Sequence, residues 1–271
     1  MERLGEHQSR ARPVIPEAFI VEWSSKVNWP TPEQVEQDLV LSRLIVDIAN
    51  DAYLGKELVF RGGTCLHKIH LPSALRYSED LDYVRTSSTG IGPLLDAIRA
   101  IGERLGMEVR TDVRQYPKAY LRATFESGPT RMRIKVEVNT YELHPASTLQ
   151  GIAFGVDSQW FQGRAEVLTF RPEELVATKL RALYQRSKGR DLFDLWLALT
   201  RLGLDASEIV RCFAPYRPTN YSARLAETNL RRKMNAADFR NDLRPLVVRW
   251  PEGYDIDSAG ELVIAEVFSL L

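Results

Sequence analysis

Phe60-Arg61-Gly62-Gly63-Thr64 and, further on, Arg76-Tyr77-Ser78-Glu79-Asp80-Leu81-Asp82 are the stretches from which the fold is read. Leu58, Val59 and Phe60 form an apolar run that stops at glycine, which predicts a short strand over Glu57 to Arg61. Gly62 and Gly63 permit a tight turn and the close approach of a ligand. Thr64 to His70 then reads as a short helix whose first free N–H groups face that turn, an arrangement that attracts phosphate. Asp80 and Asp82, two residues apart on a strand, share one face. Two carboxylates on one face repel each other unless a cation lies between them. Mg²⁺ suits the role, because it prefers hard oxygen ligands and shares them with substrate phosphates. A glycine turn for phosphate beside an Asp-x-Asp pair for metal is what phosphoryl or nucleotidyl transfer needs. The alternative is a plain turn and a chance surface pair of aspartates. Both halves in this order and spacing outweigh it.

The chain has 271 residues, enough for one large domain or two small ones. Its hydrophobic fraction of 44% and charged fraction of 27% are those of an ordinary globular protein. The formal net charge is zero, so a globally basic nucleic-acid binder is not indicated, though local basic patches stay open. Two cysteines, Cys65 and Cys212, are too few for a disulfide scaffold, and Cys65 reads as a small buried filler. The four histidines make no zinc pattern with them. No run of about 18 apolar residues predicts a membrane span, and polar Met1 to Pro13 lacks a hydrophobic signal core. A cytoplasmic protein is expected.

Pro13, Pro16 and Pro30 make residues 1–30 an N-terminal extension that reads as loosely structured. Thr31 then caps a helix that carries Pro32 at its first position and Gln34 at capping-box spacing, and that runs to about Tyr53. Gly90 to Leu105 is a second helix. Strands follow over Glu108 to Arg114, Ala119 to Phe125 and Arg131 to Tyr141. In the last, Met132, Ile134, Val136 and Val138 alternate with Arg133, Lys135, Glu137 and Asn139, giving one apolar and one polar face. From Pro172 onward the pattern is helical. The fold class is therefore α+β: a mixed sheet with helices over residues 31–165, then a helical bundle over 166–271.

Glu137, on the polar strand face, is a third carboxylate of the type that activates an attacking hydroxyl or helps hold a metal. An ordinary solvated strand carboxylate explains it equally well. Lys179 shares a helix face with Arg186. Lys188, Arg190, Asp191 and Asp194 follow closely, so charge concentrates where two helices meet, and a lysine is a good point charge for a triphosphate.

Gly62-Gly63-Thr64, Ser78-Glu79-Asp80-Leu81-Asp82, Lys179 and Arg190-Asp191-Leu192-Phe193-Asp194-Leu195, in this order, resemble the motifs of the AbiEii/AbiGii toxin family. The resemblance spans residues 57 to 200. It implies a DNA polymerase β-like nucleotidyltransferase fold with a helical C-terminal half, a nucleoside triphosphate donor and Mg²⁺. It implies further a toxin of a toxin–antitoxin or phage-defence system that adds nucleotides to tRNA acceptor ends, blocking aminoacylation, with an antitoxin encoded alongside. Carried onto this sequence, Gly62, Gly63, Thr64 and Ser78 lie at the nucleotide. Asp80 and Asp82 ligate metal, Lys179 meets the triphosphate, and Asp194 completes the catalytic group. Glu137 matches less distinctively.

Two other readings compete: nucleotidylation of a protein or small-molecule hydroxyl, and a non-catalytic nucleotide- or partner-binding module. The retained Asp80–Asp82 pair argues against the second, since binding alone needs no such pair. An RNA enzyme should gather cations around one cleft, with Arg181, Arg186 and Lys188 as RNA contacts beside Lys179, and Lys68 and Arg76 nearby. Arg231-Arg232-Lys233 reads as a solvated face. Neither a DNA nor a membrane partner is expected.

Overall fold

A computed structural model describes residues 14–71, 73–114 and 116–271. Helix α1 (Glu17–Ser24) lies inside the stretch expected to be loose, and the part of that stretch before residue 14 lies outside the described residues. Ile20 and Trp23 are one helical turn apart, and both are buried on the next helix, where Trp23 donates to Asp38 at 3.0 Å. The flanking prolines hide this short apolar stripe in the sequence. Helix α2 (Pro32–Asn50) starts at Thr31, whose hydroxyl accepts from the Gln34 amide at 3.3 Å.

The short helix α3 (Leu54–Glu57) leads into β1 (Leu58–Arg61), and α4 (Gly62–Cys65) continues as a π-helical turn over Leu66–His70. There follow β2 (Asp80–Arg85), α5 (Gly92–Arg104), β3 (Glu108–Asp112), β4 (Lys118–Thr124) and β5 (Arg131–Asn139). A hairpin of β6 (Gln150–Asp157) and β7 (Gln162–Thr169) completes the strands. The helical half is α6 (Pro172–Gln185), α7 (Gly189–Thr200), α8 (Ala206–Phe213), α9 (Ala223–Met234), α10 (Ala237–Asn241) and α11 (Ile256–Glu266).

Among the described residues seven strands form one mixed sheet in the order β3-β4-β5-β2-β1-β7-β6. β2 runs parallel to β5, and β1 to β7, while the other neighbours are antiparallel. Alternation sorts its faces. Met132, Ile134, Val136 and Val138 on β5, with Ala119, Leu121 and Ala123 on β4, are buried on the side where α2 and α5 pack. Lys135, Glu137 and Asn139 project to the other side, as do Asp80 and Asp82. The expected α+β class is what the structure has.

The β6–β7 hairpin was not foreseen. In β6, Ile152, Phe154 and Val156 alternate with the exposed Gly151, Ala153 and Gly155, and the two glycines, which disfavour strands, mask that period-two signal. Residue 165, where the sequence reading divides the chain, lies within β7, and the helical run begins at Pro172. Helix α10 stops at Asn241, because Pro245 lacks the next helical donor and its ring would meet the Asn241 carbonyl. Among the described residues no helix is long and apolar enough to cross a membrane.

Candidate active site

The site grows from the end of β1. Gly62 has a φ of 83°, in the left-handed region, and a Cβ there would stand 2.4 Å from an Asp82 carboxylate oxygen. A Cβ on Gly63 would stand 2.2 Å from the Arg76 guanidinium. The glycine pair thus turns the chain into α4 and lets two charged groups pack against bare backbone. The Thr64 hydroxyl is buried. It lies 2.8 Å from the Ser78 hydroxyl and bonds the Asp80 carbonyl, so Thr64 and Ser78 fasten the start of β2 to the turn. Any contact of Thr64 with phosphate therefore runs through backbone rather than through this occupied hydroxyl.

On β2 the side chains of Asp80 and Asp82 point the same way, and the parallel register sets Asp82 beside Glu137 and Asp80 beside Lys135. The Lys135 ammonium lies 3.1 Å from Asp80 and 3.1 Å from Glu137, and Lys118 reaches Glu137 at 3.5 Å. Burial raises the Asp82 carboxyl above its ordinary value; Lys135 opposes the rise, while Asp80 and Glu137 add to it. Burial weighs against a charged Lys135, yet Asp80, Asp82 and Glu137 together hold its ammonium above the usual lysine range. Among the described residues no three histidine, cysteine or acidic side chains are grouped as metal ligands. Asp80 and Asp82 nonetheless supply hard oxygens on one face. That fits a divalent cation that takes its remaining ligands from phosphate and water.

Facing these carboxylates across a cleft of about 350 Å³ is α6. Lys179, Arg181 and, just beyond the helix, Arg186 line it, opposite Arg61, Gly62, Asp82 and Glu137. Lys179 is held at the cleft floor between two buried carboxylates, Asp194 at 2.9 Å and Asp191 at 3.4 Å. Asp194 is fully buried behind that floor. It accepts two bonds from Arg76, each 2.8 Å, and meets His67 Nε2 at 3.0 Å. Burial favours its neutral form, but Arg76 and Lys179 hold its carboxyl well below the usual range. Asp194 therefore reaches the cleft through Lys179 and does not line it.

The cations expected to ring one cleft are only partly together. Arg181 and Arg61 both bind Glu142. Arg186 forms a two-point bridge to Asp191 at 2.6 and 2.7 Å. Lys188 pairs with Asp242 at 3.3 Å and is not among the cleft-lining residues. Lys68 turns to Asp38 at 2.7 Å, and Arg76 is buried on Asp194. Of the Arg231-Arg232-Lys233 run, Lys233 departs from a solvated face: it is buried on the Leu183 and Tyr184 carbonyls. Lys135 and Arg61 did not stand out in the sequence. Lys135 lay in plain alternation on the polar face of its strand, but only the β2–β5 pairing aims it at Asp80.

The model of the nucleotidyl transferase AbiEii toxin family, type IV toxin–antitoxin system, matches residues 43–259. The chain belongs to this family. It is thus a nucleotidyltransferase toxin of a type IV toxin–antitoxin system. Its fold is similar to that of MenT4, a nucleotidyltransferase toxin from Mycobacterium tuberculosis H37Rv, with a TM-score of 0.65 at 16% identity over 95% of this chain and 90% of that one. It is similar also to JHP933 from Helicobacter pylori, with a TM-score of 0.50 at 17% identity over 88% and 93% of the two chains. No curated protein matches the sequence. At these identities the solved structures speak to the fold alone. AbiEii membership identifies the chemistry as nucleotidyl transfer, with an antitoxin as partner and a nucleoside triphosphate as substrate.

Proposed function

We propose that this toxin transfers a nucleoside monophosphate from a nucleoside triphosphate to the 3′-hydroxyl of a tRNA acceptor end, with Mg²⁺. The observation that carries the reading is the juxtaposition of Asp80, Asp82 and Glu137 with the Gly62–Gly63 turn, across a cationic cleft from Lys179. Asp80 and Asp82 hold the metal. Bound there, Mg²⁺ would neutralise charge developing on the phosphates. The turn at Gly62 and Gly63, fastened by Thr64 and Ser78, presents backbone N–H groups to the triphosphate. Lys179 faces its charge from α6, and Asp194 acts as a positioning residue that keeps Lys179 extended.

The acceptor oxygen bonds to the α-phosphorus as the bond from that phosphorus to the bridging oxygen breaks. Pyrophosphate leaves with the electron pair, and the hydroxyl proton passes to Glu137. A tRNA so extended is not aminoacylated, and translation stops. The sheet-bearing part, up to the end of β7, and the helical part from Pro172 onward act as two domains that form the walls of the cleft. Incubation with total tRNA, Mg²⁺ and each labelled nucleoside triphosphate tests the reading. Label on tRNA supports it; label on a protein or a small molecule would redirect the acceptor.

A further inference from the structure

The sheet face that carries Asp80 continues past the site onto β4 and β5, and it is basic. Arg122 on β4 stands directly opposite Arg133 on β5, and Arg131 lies two residues along the same face. Like charges directly opposed across a strand pair are unfavourable, so this pair asks for an anion. Among the described residues none of Arg122, Arg131 and Arg133 forms an ion pair. Glu108, the register partner of Arg122 on β3, is bonded by Arg110 at 2.7 Å, and Arg110 holds its carboxyl low with smaller contributions from Arg122 and Arg131. Arg133 is laid over the ring of Tyr120 at 4.4 Å, which orders its guanidinium while leaving its donors free. A second hollow of about 320 Å³, lined by Arg131, Arg133 and Lys135 together with Gln37 and the carboxylates Glu79 and Asp80, opens on this side of the site. The first cleft opens on the side of Asp82 and Glu137. Arg181, Arg186 and Lys188 are, by contrast, each satisfied by a carboxylate.

We propose that the face of β4 and β5 is the track of the acceptor RNA: Arg122, Arg131 and Arg133 bind its backbone phosphates, and the strand ends with its 3′-hydroxyl at Asp80. The donor triphosphate then occupies the α6 side, and the two substrates meet over the carboxylates, where the 3′-oxygen reaches the α-phosphorus. This deepens the proposed function and rests on it. The spacing suits the task, because arginines at alternate positions and on adjacent strands stand within reach of successive phosphates.

The test is the triple variant Arg122→Gln/Arg131→Gln/Arg133→Gln, assayed for transfer to tRNA and for tRNA binding as salt is raised. KM for tRNA should rise at least about tenfold, with kcat and KM for the nucleoside triphosphate unchanged. Loss of three phosphate contacts should flatten the slope of log K against log salt by about 2. The charge-keeping Arg→Lys triple should retain the parent slope. If the glutamine triple melts early, the exposed single variants Arg131→Gln and Arg133→Gln should each flatten the slope by about 0.7. A folded variant with the parent's KM for tRNA and salt slope overturns the track, while a parent that labels tRNA leaves the function standing. A parent that labels no RNA removes both.

Discussion

Lys135 on β5 holds its ammonium 3.1 Å from the Asp80 carboxylate on β2, its register partner in the parallel strand pair. The lysine offsets part of the repulsion among Asp80, Asp82 and Glu137, so the folded chain tolerates three acids on one patch of sheet. The same acids make the patch hungry for a second cation. Fold and chemistry thus meet in one register: a slip of one residue would turn Asp80 and Asp82 into the core.

Asp80→Asn and Asp82→Asn should each reduce nucleotide transfer at least about 100-fold, by removing a metal oxygen and the positioning it provides. Folding should not suffer. Asp82 is a carboxyl whose burial opposes its charge, so Asp82→Asn should melt at or above the parent temperature. Transfer assays and thermal melts on the same preparations decide. Near-parent activity in either folded variant contradicts the assignment.

Gly62→Ala should destabilise by about 1–3 kcal/mol, because φ is 83° and the new methyl would meet the Asp82 carboxylate. Activity should fall further than stability accounts for, since Asp82 itself is displaced. Urea unfolding beside a transfer assay separates the two effects.

The turn, the Asp-x-Asp strand and the polar alternation of Arg131 to Tyr141 were legible because each is local. Glycine marks its own turn, and period two marks its own face. Lys135 and Arg76 were less so, because their partners lie on elements distant in sequence: Lys135 meets Asp80 only through β2–β5 pairing, and Arg76 meets Asp194 across 118 residues. The arginines of β4 and β5 escaped for a similar reason. On one strand they are ordinary solvent-facing residues, and only the register sets Arg122 against Arg133. The β6–β7 hairpin stayed hidden because glycines and exposed polar residues interleave the alternating Ile152, Phe154, Val156, Ala165 and Val167.

Lys179→Ala should lower stability as well as activity, by about 3 kcal/mol. The sequence alone shows Lys179 on a helix face shared with Arg186. The structure buries Lys179 between Asp191 and Asp194, so its loss leaves Asp191 and Asp194 short of a counter-charge. Chemical denaturation of the variant measures this. Parent stability would show that Arg76 and Arg186 suffice for both carboxylates.

Stability should decline in mild acid through His67. Burial, and then the Arg76 charge, depress its pKa from 6.5 to about 4. Below pH 6.5 the unfolded chain takes up a proton that the folded chain refuses. The His67 contribution is therefore complete above that value and shrinks as pH falls towards 4, by about 2 kcal/mol at pH 5. His67→Gln keeps a polar group beside Asp194 without the titration. The difference in unfolding free energy between pH 7.5 and pH 5 should be smaller in the variant than in the parent by about that amount. Equal differences would show that His67 carries its proton in the folded state.

The most direct measurement uses tRNA whose terminal ribose has been opened by periodate, compared with intact tRNA, each incubated with the toxin, Mg²⁺ and labelled nucleoside triphosphates. Label is expected on intact tRNA only, and none with Asp80→Asn, if the attacking atom is the 3′-oxygen held at Asp80. Equal label on both RNAs, or label on the protein fraction with neither RNA modified, would contradict it.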